Sequence, residues 1–170
     1  MGASFIKKNG LIYSQDLHVI YGLDSSAVFT GRVPYGVHEI QEEAFADADF
    51  ISVSLPDSVK KIGAGVFGNC KSLQKVKLPS ELKELSPYLF AGCSSLKAIT
   101  MPTNLQKFSE GLFFSCSSLE EIEYPISITT WNANVFYGST GIKKLRITGE
   151  GNMQTYTSSN QPWNQIRGQI

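Results

Sequence analysis

The chain has 170 residues, enough for one domain with a core of its own and no need of disulfide or metal staples. Fifteen Lys and Arg offset fifteen Asp and Glu, and only 18% of residues are charged, which excludes the one-signed excess that a nucleic-acid groove, a polybasic membrane patch or an acidic tail requires. A hydrophobic content of 42% with 11% aromatics excludes disorder, and fifteen Gly with seven Pro favour a turn-rich β architecture over a helical one.

The first residues, Met1 to Lys8, lack the apolar run of a signal peptide, and no stretch approaches the ~18 apolar residues of a membrane span. Residues 5–21 carry two apolar runs separated by Ser14-Gln15-Asp16, with Asn9-Gly10 as a further turn signal. This predicts a β-hairpin or meander that covers the N-terminal edge, within a cap spanning 1–32. Gly31-Arg32-Val33 reads as an incomplete first strand.

From Val33 onward the chain repeats with a period of 23 residues. Pro56, Pro79, Pro102 and Pro125 share one column, and Phe67, Phe90, Phe113 and Phe136 another. A third holds Leu73, Leu96, Leu119 and Ile142, and a fourth Val76, Ile99, Ile122 and Leu145. Val59, Leu82, Leu105 and Ile128 form one more, as do Ile62, Leu85, Phe108 and Trp131. Within the unit, Leu73-x-x-Val76-x-Leu78 alternates as a strand does, with Val76 and Leu78 inward and Lys75 and Lys77 outward. Pro79 cannot donate to a ladder and ends the strand. Leu82 and Leu85 allow a second short extended segment, and Tyr88 to Cys93 a tight turn or a single helical turn. Each coil buries little alone, so stacking creates the core.

The recurring Leu55-Pro56…Val59…Ile62…Phe67…Cys70…Leu73…Val76 pattern resembles the BspA-like subfamily of leucine-rich repeats. The likeness covers roughly residues 33–148 and implies a leucine-rich-repeat solenoid: short parallel strands stacked in a right-handed coil, about five repeats of 22–23 residues. The ends depart from the pattern: Ala48 and Ser139 stand where Cys belongs, and Trp131 replaces a smaller aliphatic. After Gly149 the pattern dissolves into a C-terminal cap, 149–170, with a polar segment from Thr155 to Gln161. Trp163 and Ile166 are expected to cover the last apolar face.

Catalytic chemistry finds no support. Cys70, Cys93 and Cys116 share one column and read as small, buried and inert, since three thiols cannot all pair and parallel side chains do not face each other. No His falls in register with them, so no zinc site is expected, and no cofactor. His18 and His38 read as surface or half-buried histidines rather than catalytic bases, and Glu42-Glu43 and Glu120-Glu121 as solvated turn or strand residues. Nucleophile-elbow, phosphate-loop and zinc-protease motifs are absent from the sequence.

The outward face of the main sheet carries the candidate binding residues Lys75, Lys77, Thr100, Glu121, Glu123, Lys144 and Arg146. Neighbouring coils place Glu121 beside Lys144 and Glu123 beside Arg146. Such a strip is either a self-satisfied surface, each exposed pair contributing about 0–1 kcal/mol, or a mixed-charge face for a protein partner. Phe114 and Tyr137, expected side by side above buried Phe113 and Phe136, are a secondary candidate. The resemblance implies a non-catalytic protein-binding or adhesion module of a bacterial cell-surface or secreted protein. The expected partner is a protein, of host matrix or another cell surface, and the expected state a monomer. A structural spacer or stalk segment of a larger surface protein is the alternative.

Overall fold

In the computed structural model, residues 4–149 are described in full and residues 154–157 in their backbone. The 23-residue period becomes a strand register. On the long face lie β5 (Ser52–Ser54), β7 (Lys75–Lys77), β8 (Ala98–Thr100), β10 (Glu121–Pro125) and β12 (Lys144–Thr148). Val53 opposes Val76, Ile99 opposes Ile122 and Ile122 opposes Leu145, all in parallel. Arg32 bridges Ser54 and so starts this face as the incomplete strand predicts.

A second face is built from two-residue strands: β4 (Glu39–Ile40), β6 (Lys61–Ile62), β9 (Lys107–Phe108) and β11 (Thr130–Trp131). Its N-terminal end is a meander of β1 (Ile6–Lys8), β2 (Leu11–Tyr13) and β3 (Val19–Leu23), antiparallel until β3 joins β4 in parallel. The cap therefore extends the second face rather than the long one, giving the sheet order β1-β2-β3-β4-β6.

The third side consists of turns. Among the described residues no helix forms, so the Tyr88–Cys93 stretch is a tight turn. Each turn uses left-handed backbone twice. One column is Glu43, Gly65, Tyr88, Gly111 and Asn134, the other Asp47, Asn69, Gly92, Ser115 and Gly138. Gly and Asn enter that region readily, a bulky residue does not. Tyr88 is held there at φ 55°. Its hydroxyl donates to Glu110 Oε1 at 2.8 Å, and its ring lies so close to Gly111 that a side chain there would collide with it. Between the two columns the Phe rings point inward. Phe67, Phe90, Phe113 and Phe136 are fully buried and stack at centroid spacings of 5.5, 5.7 and 5.5 Å. Each such pair contributes about 0.5–1.5 kcal/mol beyond its buried area.

Two expectations need correction. Proline ends β5, β7 and β8, but Pro125 is the last residue of β10 and opposes Thr148. The next amide, Ile126 N–H, donates to Thr148 O at 2.7 Å, so the missing N–H of Pro125 points to the other side, where β8 has already ended. In the polar tail, Gln154–Thr157 form β13, antiparallel to β12. Edge pairing needs only backbone groups, and Thr-Tyr-Thr at 155–157 suits a strand. Trp163 and Ile166 lie outside the described residues.

Candidate interaction face

Glu121 is the hub of the C-terminal half of the long face. Lys144 Nζ lies 3.3 Å from Glu121 Oε2, and Arg146 Nε engages the other oxygen of the same carboxylate. Glu123 and Arg146 are opposed in register as expected, yet the guanidinium reaches diagonally to Glu121. Diagonal neighbours across a sheet lie within reach of a long side chain. Lys143 Nζ adds a further pair to Glu120 at 3.1 Å. All of these carboxylates and cations belong to coils whose strands form one continuous ladder from β8 to β13.

The N-terminal half is built differently. Lys75 and Lys77 are exposed, and among the described residues neither they nor Arg32 and Lys97 form an ion pair. Asp57, the carboxylate whose charge Lys77 feels, accepts from Ser80 N–H and Ser80 Oγ at 2.8 and 3.1 Å. Those two bonds, more than the Lys77 charge, hold its carboxyl below the usual range. No strand pairing joins β7 to β8 among the described residues, although the column phase puts them side by side. Val76 and Leu78 are consequently only partly buried, whereas Val53, Ile99, Ile122 and Leu145 are buried in the equivalent column. Thr100 faces outward across this seam, and beside it Ala98 leaves a hollow between Lys75 and Glu121.

Phe114 and Tyr137 stack at 5.3 Å on the turn side, Tyr137 exposed and Phe114 half-buried, above the buried Phe113 and Phe136. This pair and the long face stand on different sides of the solenoid. Sequence reasoning missed the ring stack of His18 on His38, at 4.6 Å. The cap loop makes that pair 20 residues apart rather than 23, so no column announced it.

The cysteine column is structural. Cys70, Cys93 and Cys116 are free and fully buried. Each thiol donates to the carbonyl of the Phe in the preceding coil: Cys70 to Phe45 at 3.1 Å, Cys93 to Phe67 at 3.1 Å and Cys116 to Phe90 at 3.0 Å. Ser139 Oγ continues the series to Phe113 O at 2.6 Å, which explains why Ser is accepted there. Burial pushes the Cys70 thiol up to about 11 and that of Cys116 up to about 12, and raises Cys93 as well. Thiolate chemistry is thereby suppressed. Among the described residues no three His, Cys, Asp or Glu side chains converge as a metal site, and no helix is long and apolar enough to cross a membrane.

Comparison with known proteins follows the same lines. A sequence model of the BspA type leucine rich repeat region matches residues 38–161 in six copies, where the columns alone suggest about five. No curated protein sequence matches the chain. Among solved structures, a leucine rich cell surface protein from Faecalibacterium prausnitzii is 30% identical with a TM-score of 0.80, over 87% of this chain and 40% of that one. The leucine rich repeat protein TpLRR of T. pallidum is 27% identical with a TM-score of 0.66, over 78% of this chain and 65% of its own. The pneumococcal vaccine antigen PcpA shares the fold at 19% identity and a TM-score of 0.72, over 88% of this chain and 38% of its own. The chain thus spans less than two thirds of the length of each. The repeat columns, the strand register and the match over residues 38–161 agree: the chain belongs to the BspA-type leucine-rich repeat family.

Proposed function

We propose that the chain is a non-catalytic protein-binding module, acting in adhesion at a bacterial cell surface or as part of a secreted protein, and that the outward long face makes the contact. One observation carries this reading: exposed Lys75 and Lys77 stand without ion pairs beside a hollow, whereas Glu121, Lys144 and Arg146 farther along the same face are paired with one another. Likeness to a protein described as a leucine rich cell surface protein supports the location. The partner class is a protein of host matrix or of another cell surface, and the module acts as a monomer. Phe114 and Tyr137 are the secondary contact.

The test immobilises the protein and measures capture from a panel of purified matrix proteins and cell-surface glycans. Lys75→Ser with Lys77→Ser should abolish capture without moving the melting temperature. Capture lost instead on Phe114→Ser with Tyr137→Ser would transfer the site to the turn side. No capture of any panel member would favour a spacer segment.

A further inference from the structure

A trough runs along the seam between β7 and β8. Near the C-terminal ends of these strands Val76, Leu78, Met101 and Pro102 line a cleft of about 310 Å³, at the small end of the range for ligand clefts. At the other end a hollow of about 200 Å³ lies over Ala98. Val76 and Thr100 border both, so the two adjoin.

We infer that this trough takes an extended acidic segment of a partner protein, its carboxylates meeting Lys75 and Lys77 and an apolar side chain entering the cleft between Leu78 and Met101. The inference rests on the binding reading of the long face and names the chemistry of its partner. Charge is the first argument. The lysines on one wall are unpaired, while on the far side Glu121 is held by Lys144 and Arg146 and Glu123 carries no ion pair of its own among the described residues. Lys75, Lys77, Lys144 and Arg146 together outnumber the two carboxylates Glu121 and Glu123, so the net charge along the trough is positive and it selects an anion. The lining is the second argument. A sulfated polysaccharide brings charge but no apolar group to bury, whereas a peptide side chain gains about 25 cal/mol for each Å² of apolar surface removed from water. Shape is the third. Along β7, Lys75–Lys77, the trough follows the strand direction for about 10 Å at ~3.3 Å per residue before Pro79 turns the chain, which suits a short extended segment.

The probe is a fluorescein-labelled peptide of about nine residues in which glutamate and leucine alternate, long enough to overrun the trough. Fluorescence anisotropy should show binding that weakens between about 50 and 300 mM salt, and an all-glutamate peptide should bind at least about tenfold more weakly. Lys75→Glu with Lys77→Glu should abolish binding. Ala98→Trp fills the hollow from an outward, exposed position and should do the same while the melting temperature stays within a few degrees. Equal affinity for the all-glutamate peptide or for a heparin oligosaccharide would overturn the peptide assignment in favour of a general polyanion site. Undiminished binding to Ala98→Trp would remove the trough as the site. If the peptide fails to bind while Lys75→Ser with Lys77→Ser still abolishes capture of a matrix protein, the partner class is wrong and the binding face stands. If both fail, the face itself falls.

Discussion

The two halves of the long face obey the same 23-residue phase and are built to different standards. From β8 to β13 the ladder is continuous, Ile122 and Leu145 are fully buried, and Glu121 holds two cations at once. Around β7 the ladder stops on one side, Val76 and Leu78 are half covered, and the lysines point into solvent alone. Beneath both, the turn side is equally regular, with Phe67 N–H donating to Leu89 O, Phe90 N–H to Leu112 O and Phe113 N–H to Val135 O. A repeat protein can therefore keep its spine intact while loosening one face, because each coil contacts only its neighbours. Stability and availability for binding are separated by location.

The largest expected difference between the halves is in the inward column. Ile122→Ala should cost about 2–5 kcal/mol, as truncation of a fully buried Ile does. Val76→Ala should cost about 1 kcal/mol or less, since that side chain leaves less apolar area to lose. Equal losses in denaturant titrations would mean that the seam is closed in solution.

The cysteines ask whether the looseness reaches the core. All three thiols should resist labelling in the native chain and react after denaturation, and faster labelling of Cys93 than of Cys116 would show that the seam admits solvent to the turn side. Their titration has a sign. Unfolded thiols lose protons near the ordinary value of 9, while the folded chain keeps that of Cys70 protonated to about 11. The unfolded state thus binds fewer protons in this window, and stability falls as pH rises through it, with no effect below 9. Cys70→Ser should remove its share of that alkaline loss while keeping a donor for Phe45 O, as Ser139 does for Phe113 O.

Smaller effects belong to the charges. Glu121→Lys replaces the hub by a third cation beside Lys144 and Arg146, and should destabilise by about 1 kcal/mol, less at high salt. Lys75→Ser with Lys77→Ser should change stability by no more than about 0.5 kcal/mol, because neither lysine is ion-paired. A calorimetric comparison of the two variants measures the asymmetry directly. Comparable losses would show that the lysines are structural after all.

What could be read before folding was everything that depends on period. The proline, phenylalanine and leucine columns are one-dimensional signals, and stacking converts them into register without further choice, so Glu121 does oppose Lys144 and Phe114 does stack on Tyr137. The seam was illegible because Lys75, Val76 and Leu78 fit the pattern as well as their counterparts in any other coil. Its existence is a matter of backbone spacing between neighbouring coils. The diagonal choice of Arg146 for Glu121 over Glu123 is likewise a matter of side-chain reach, and β13 a matter of an available edge.

By itself, then, the sequence determined the solenoid, its inward and outward residues, and the inert role of the three cysteines, because hydrophobic periodicity admits one way of burying those columns. Only the tertiary structure decided which of the outward charges satisfy one another and where the face opens. Those outcomes turn on separations of an ångström or two between coils, and no spacing along the chain encodes them.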